Sequence, residues 1–294
     1  ISVTRVTDTK IALAYAEGSV GSCRIGTIAS NGSISFGTEV SFNAAAVTYV
    51  VVTRMTDTQI CIAYEEGSVG SAIIGTISGT SVSFGAEATF NSGNTNRISL
   101  DRLTDTKLCI AYVDNGNSNH GTAIIGDISG TNITFGSESV FEAASTGDLS
   151  VISLTTSKVV ISYREGTGSA AGKCRVATIS GTSFTYGSEA TFVTTTGESS
   201  LARVSDTVCV ISYQDQTNSE HGTARVGTVS GTSITFGTAV VFNSATTTDI
   251  AADLLAEGIV ALAYKDSADG ALILGTVSGT NISFSTAEIF DTDS

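Results

Sequence analysis

Short apolar runs broken by Gly, Ser, Thr and Asp fill the chain from end to end, and no stretch keeps a helical period. In the first fifty residues, Ser2–Val6 alternates towards a tight turn at Thr7-Asp8-Thr9, and Lys10–Tyr15 is then apolar on both faces. A variable loop leads to Cys23–Ile28, and Ile34–Phe42 closes the unit. Short β-branched runs bounded by Asp-Thr and Ser-Gly breaks predict strands joined by hairpins. The recurring Gly, Ser and Thr would penalise a helix.

This unit occurs six times. A phrase of the form S-I-S-F-G places an aromatic at Phe36, Phe84, Phe135, Tyr186, Phe236 and Phe284, in steps of 48, 51, 51, 50 and 48 residues. A second aromatic follows each of these at Phe42, Phe90, Phe141, Phe192, Phe242 and Phe290. Upstream, Tyr15, Tyr64, Tyr112, Tyr163, Tyr213 and Tyr264 each follow a small residue, Ala or Ser. Four strands in about 50 residues is the signature of a propeller blade. The expected fold is all-β, a six-bladed β-propeller of four-stranded antiparallel blades. It forms a single domain, with copies at approximately 1–48, 49–96, 97–147, 148–198, 199–248 and 249–294. Because Ile60-Cys61-Ile62-Ala63-Tyr64 does not alternate, the second strand is expected to be covered on both sides. Two phases fit. The crossover between copies lies either in the second–third or in the fourth–first connection, and one blade could be shared between the two termini.

Composition narrows the partners. Only 14% of residues are charged against 41% hydrophobic, which leaves ample core material, and the formal charge of −14 repels phosphate backbones and anionic lipid. Nucleic acid is therefore not an expected partner. No apolar run approaches the roughly 18 residues of a membrane span, so membrane insertion is not expected either. The five Cys are odd in number, lack metal-ligand spacing, and read as packing residues. Ile1 follows no signal-peptide pattern, which reads as a removed leader or an excised domain.

The segment Ser2 through Glu17, of the form S-V-x-R-x-x-D leading into an apolar strand that ends in an acid, resembles the blade of sialidase-type six-bladed propellers. Thr134–Phe141, T-F-G-S-E-x-x-F, resembles the end of that family's fourth strand. The likeness covers the whole chain at the level of architecture, but the family's Asp-box is missing from all six copies. Tyr112–Gly136 and Tyr213–Gly237 are similar to strings in repeat proteins of marine bacteria and their phages. That resemblance implies a secreted or virion-surface setting.

Candidate chemistry concentrates at the second–third loops. A Y-x-[D/E] motif gives Glu17, Glu66, Asp114, Glu165, Asp215 and Asp266, six carboxylates expected on one face. Such a rim would suit Ca2+, a cationic partner or sugar hydroxyls. The structural alternative is that each carboxylate accepts amides of its own loop, as Asp and Glu do at turns. The longer loops of the third and fifth copies add Asn117 and His120, and Asn218 and His221, as candidate ligand-binding residues. Their spacing does not match a Ca2+ loop, no cofactor is expected, and no metal ligand or catalytic residue is assigned. Arg5, Arg54, Arg102 and Arg203 precede a turn Asp by three residues and are expected to pair with it. Near-identical copies offer no evident nucleophile and acid/base pair. The leading expectation is a non-catalytic extracellular or virion-surface module that binds a glycan or protein receptor through its variable loops. The alternatives are a sialidase-like glycoside hydrolase or lyase, and a structural subunit of a larger assembly.

Overall fold

A computed structural model describes residues 1–18, 20–166 and 170–292. Each copy folds as an antiparallel meander. In the first copy, the strands Ser2–Thr7, Lys10–Glu17 and Val20–Ile28 pair in order. The fourth strand comes in two pieces, Ile34–Phe36 and Val40–Asn43, both on the third strand. From the third copy onward, the second piece continues unbroken into the first strand of the next copy, as Ser139–Thr155, Ala190–Arg203 and Val240–Ala256. The crossover is therefore the fourth–first connection, and the second–third connection is a hairpin. Ser2–Thr7 pairs with its own second strand and Glu288–Asp291 with its own third, so each end of the chain pairs within its own copy. Among the described residues the only helical turns are two 3-10 turns, Asn115–Asn117 and Gln216–Asn218.

The chain divides into two compact units, Ile1–Val140 with Gly181–Ser183, and Phe141–Ser180 with Phe184–Ser294. Within each, the cores lie between consecutive copies rather than inside one. In the first unit, Ala12, Ala14, Cys23, Ile25 and Phe42 of copy one bury against Ile60, Ile62, Tyr64 and Ile73 of copy two. The opposite face of copy two, Cys61, Ala63, Ala72, Ile74 and Phe90, buries against Leu108, Ile110, Tyr112 and Ile124 of copy three. The second unit repeats this between copies four and five and between five and six. In copy two the second strand turns Ile60 and Ile62 to the preceding copy and Cys61 and Ala63 to the following one, whereas Val160 of copy four and Val210 of copy five face the following copy and Cys209 the preceding one. Burial of both faces explains the missing alternation. All five Cys are buried and free, and burial raises their thiol pKa values.

Three contacts recur at these junctions. The Phe of one copy lies on the Tyr of the next, with ring centroids 5.1–5.3 Å apart for Phe42–Tyr64, Phe90–Tyr112, Phe141–Tyr163, Phe192–Tyr213 and Phe242–Tyr264. Outside them, the Gly of the S-I-S-F-G phrase receives the Thr of the next copy's Ser-Gly-Thr turn so closely that a Cβ at Gly187 would overlap the Thr232 carbonyl. On the first strands, Ser Oγ accepts a backbone amide of the following copy: Ser2 from Val52 (3.1 Å), Ser150 from Leu201 (3.4 Å) and Ser200 from Ala252 (3.0 Å).

The sixth Phe differs. Phe192 is 2% exposed whereas Phe290 is 66% exposed. Phe192→Ala should therefore cost about 3–5 kcal/mol in urea unfolding. Phe290→Ala in dilute protein should cost less than about 1 kcal/mol. Equal losses would contradict this packing.

Candidate functional site

The six motif carboxylates sit at the second–third hairpins, and among the described residues five have polar partners. Glu66 accepts from Asn43 Nδ2 of the preceding copy at 2.6 Å, and Asp266 from Asn243 at 3.0 Å. Asp114 is buried, accepts from Asn91 at 3.3 Å and caps its loop through the Asn117 amide at 3.1 Å. Asp215 takes the Thr217 amide and hydroxyl at 3.0 and 2.5 Å, and Glu165 meets Lys173 at 2.5 Å. Glu17 is exposed.

The two long loops share one conformation despite different sequences. After the capped 3-10 turn, Ser118 and Asn119 (φ 57° and 62°) match Ser219 and Glu220 (φ 55° and 63°) in the left-handed region. Consecutive non-glycine residues there are strained, and the cap holds them. His120 and His221 then re-enter the ladder opposite Asp114 and Asp215, half-buried, while Asn117 and Asn218 are exposed. The four arginines pair with Asp8, Asp57, Asp105 and Asp206, as expected from their spacing.

Among the described residues, one group of carboxylates is close enough to hold a metal ion, namely Glu142, Glu165 and Glu189. Its centre already has a cation. Lys173 Nζ lies 2.5 Å from Glu165 and 2.6 Å from Glu189, and Arg175 is 3.8 Å from Glu142 and Glu189.

A different polar group forms in the second unit, where the first strands of copies five and six begin. Arg164, the middle residue of Tyr163-Arg164-Glu165, lies against Gly147 and donates to the Gly197 carbonyl at 2.8 Å. Gln214, the equivalent residue one copy on, lies against Gly197 and donates to the Thr247 carbonyl at 2.9 Å. The Gln216 amide, on the 3-10 turn, reaches Gln214 Oε1 at 3.4 Å. A carboxylate stands at the register shift within each of the three long strands: Asp148, Glu198 and Asp249. Asp148 accepts the Ser199 amide at 2.8 Å. Burial, then the charges of Asp148 and Asp249, push the Glu198 carboxyl up to about 7, against the pull of the Asp249 and Ile250 amides. Arg164 Nε, Gln216 Oε1 and Glu198 Oε1 are buried with no hydrogen-bond partner. Buried polar atoms are nearly always paired, and these three gather about Gly197, which Arg164 and Gln216 approach and Glu198 follows in the chain; Arg54 Nε, Ser145 Oγ and Ser212 Oγ are unpaired elsewhere.

Sequence reasoning passed over Arg164, Gln214, Gln216, Asp148, Glu198 and Asp249 because it followed what the copies share. A signal was available. The middle position of Y-x-[D/E] reads Ala16, Glu65, Val113, Arg164, Gln214 and Lys265, the most variable residue in a constant frame.

No family model and no curated protein matches the sequence. Solved structures do match. A "putative 6-phosphogluconolactonase" from Bacteroides uniformis aligns over 99% of this chain and 85% of its own, with a TM-score of 0.69 at 9% identity. Its counterpart from Bacteroides fragilis gives 0.70 at 9%, over 99% and 84%. An Aleuria aurantia lectin mutant in complex with α-methyl-L-fucoside aligns over 99% and 96%, with a TM-score of 0.55 at 12% identity. The fold is a β-propeller type. Of the expected recognition, the propeller-type architecture is what these neighbours share with the chain, built here from antiparallel sheets.

Two measurements test this description. Removing the ammonium with Lys173→Met leaves three carboxylates about Arg175 alone and should cost roughly 2–3 kcal/mol in urea unfolding at pH 7. Glu198 holds its proton more tightly folded, at about 7, than at the ordinary value of 4.5. Stability should therefore fall as pH rises between those values and level off above, by about 3 kcal/mol at most. A Tm series from pH 4 to pH 9 should show Glu198→Gln flattening that fall.

Proposed function

We propose that this chain is a non-catalytic carbohydrate-binding propeller. Its contacts lie at the polar group of Arg164, Glu198 and Gln216, with the exposed 3-10 loop around Asn218 as rim. The reading rests on the three unpartnered polar atoms. Sugar hydroxyls both donate and accept, which is what a guanidinium N–H, an amide oxygen and a carboxyl that titrates near neutrality can answer. Asp148 and Asp249 beside them disfavour a phosphorylated or sulfated ligand. Five of the six repeated Tyr side chains are buried and the chain has no Trp, so recognition rests on hydrogen bonds more than on stacking. A fucoside-bound lectin among the structural neighbours supports this reading.

One observation favours a second reading, a glycoside hydrolase or lactone hydrolase. A carboxyl near pKa 7 flanked by two acids is the arrangement a general acid requires. A glycan array run at several Ca2+ concentrations separates the two. Binding of neutral glycans that Arg164→Ala weakens at least about tenfold, with Tm unchanged, supports the binding module. Turnover of chromogenic glycosides or lactones that Glu198→Gln abolishes would instead establish the hydrolase. A protein that binds no glycan on the array and turns over none of the substrates would sink both.

A further inference from the structure

From copy two onward, each first strand carries one extra residue near its start, where its pairing with the second strand shifts register. Bulges of this kind re-aim a side chain and gather beside functional sites. At the aligned position within the shift stand Tyr49, Arg97, Asp148, Glu198 and Asp249, so no two neighbouring copies present the same residue. In the second unit these are the carboxylates around Arg164. In the first unit they are an aromatic ring and a guanidinium.

Tyr49 is held at a cost. Its φ is 50°, in the left-handed region that a bulky side chain rarely adopts, and Arg97 follows at 52°. Burial does not offset that strain. Val50 beside it is buried, but the Tyr49 ring is 43% exposed, and among the described residues it is the one exposed Tyr. It also lies outside the six repeated Tyr. Strain of this kind persists where the side chain is put to use.

The ring has polar surroundings. Thr48 is exposed, Asn96 half-buried and Arg97 exposed. Glu65, paired across the ladder with Thr48, accepts the Thr48 hydroxyl and the Ser68 amide. The first strands of copies two and three run side by side, since Arg102 donates to the Met55 carbonyl at 3.2 Å. A single ring among polar groups is too small an apolar patch for a protein interface. It suits a ligand with one small apolar face and a polar rim. A pyranose has that shape, with C–H groups to lie on a ring and hydroxyls to meet the groups around it. Arg97 and Glu65 are opposite in charge, which favours a neutral sugar.

We propose that Tyr49 is the platform of a second sugar-binding site, within the first unit, on which a neutral pyranose stacks while Arg97 and Glu65 hydrogen-bond its hydroxyls. The ligand class rests on the carbohydrate reading; the site itself uses no residue of the Arg164 group.

Titration with methyl glycosides of neutral hexoses and 6-deoxyhexoses tests this. Tyr49→Ala should weaken binding at least about tenfold, and Tyr49→Phe, which keeps the ring, less than about threefold. Tyr49→Gly should lose binding equally without lowering the Tm, because glycine relieves the left-handed backbone. Tetranitromethane should nitrate Tyr49 ahead of the other tyrosines, as mapped by mass spectrometry. Resistance to nitration, a Tm that falls with Tyr49→Gly, binding that Tyr49→Ala leaves intact, or no binding of any of these glycosides would each overturn the inference. Arg164→Ala tells the two sites apart. Binding that survives Arg164→Ala but not Tyr49→Ala supports this site and counts against the Arg164 site, and the reverse overturns this one. Two sugars per chain, with each variant removing one, would support both.

Discussion

A sheet of four short strands has two apolar faces and cannot cover either by itself. Everything else in this molecule follows from how the copies cover one another. The junction is asymmetric: Phe and small residues on one side, Tyr and β-branched residues on the other. Each fully buried Tyr brings a ring's worth of apolar area, and at three of them the hydroxyl reaches the acid at the break in its own fourth strand, as Tyr112 reaches Glu138 at 2.9 Å. The cost of burying that hydroxyl is thereby offset within the copy. The same geometry makes the Gly of the fourth strand obligatory wherever a neighbour's turn presses on it.

Stability and chemistry use different residues of the same frame. The acid that closes Y-x-[D/E] ties the hairpin to the preceding copy through Asn43–Glu66 or Asn243–Asp266, or caps a 3-10 turn, as Asp114 and Asp215 do. The residue between Tyr and acid faces the start of a first strand. At Arg164 and Gln214 it lies over a glycine, where a side chain can cross the backbone. Constant positions hold the scaffold, and the variable one beside them makes the polar group. The Glu142–Glu165–Glu189 group shows the contrast, since Lys173 neutralises it from inside.

The strands, their order and the two-sided second strand were legible because period, turn residues and aromatic spacing report directly on backbone path and burial. The crossover was not, because two tight connections look alike until hydrogen bonds are assigned. The arginine–aspartate pairs could be read at i, i+3. The polar group around Glu198 could not, because Arg164, Gln216 and Glu198 are far apart in sequence and meet only through the packing of consecutive copies. The shared conformation of Asn115–Asn119 and Gln216–Glu220 was equally hidden, since a capping aspartate fixes it more than the residues that follow.

Packing the Phe of one copy on the Tyr of the next gives the repeat a direction. A gene segment encoding one whole repeat can be duplicated or lost and the new neighbours still mesh, whereas a breakpoint inside a repeat would lose that match. Lineages carrying this architecture should therefore vary by complete modules of about fifty codons.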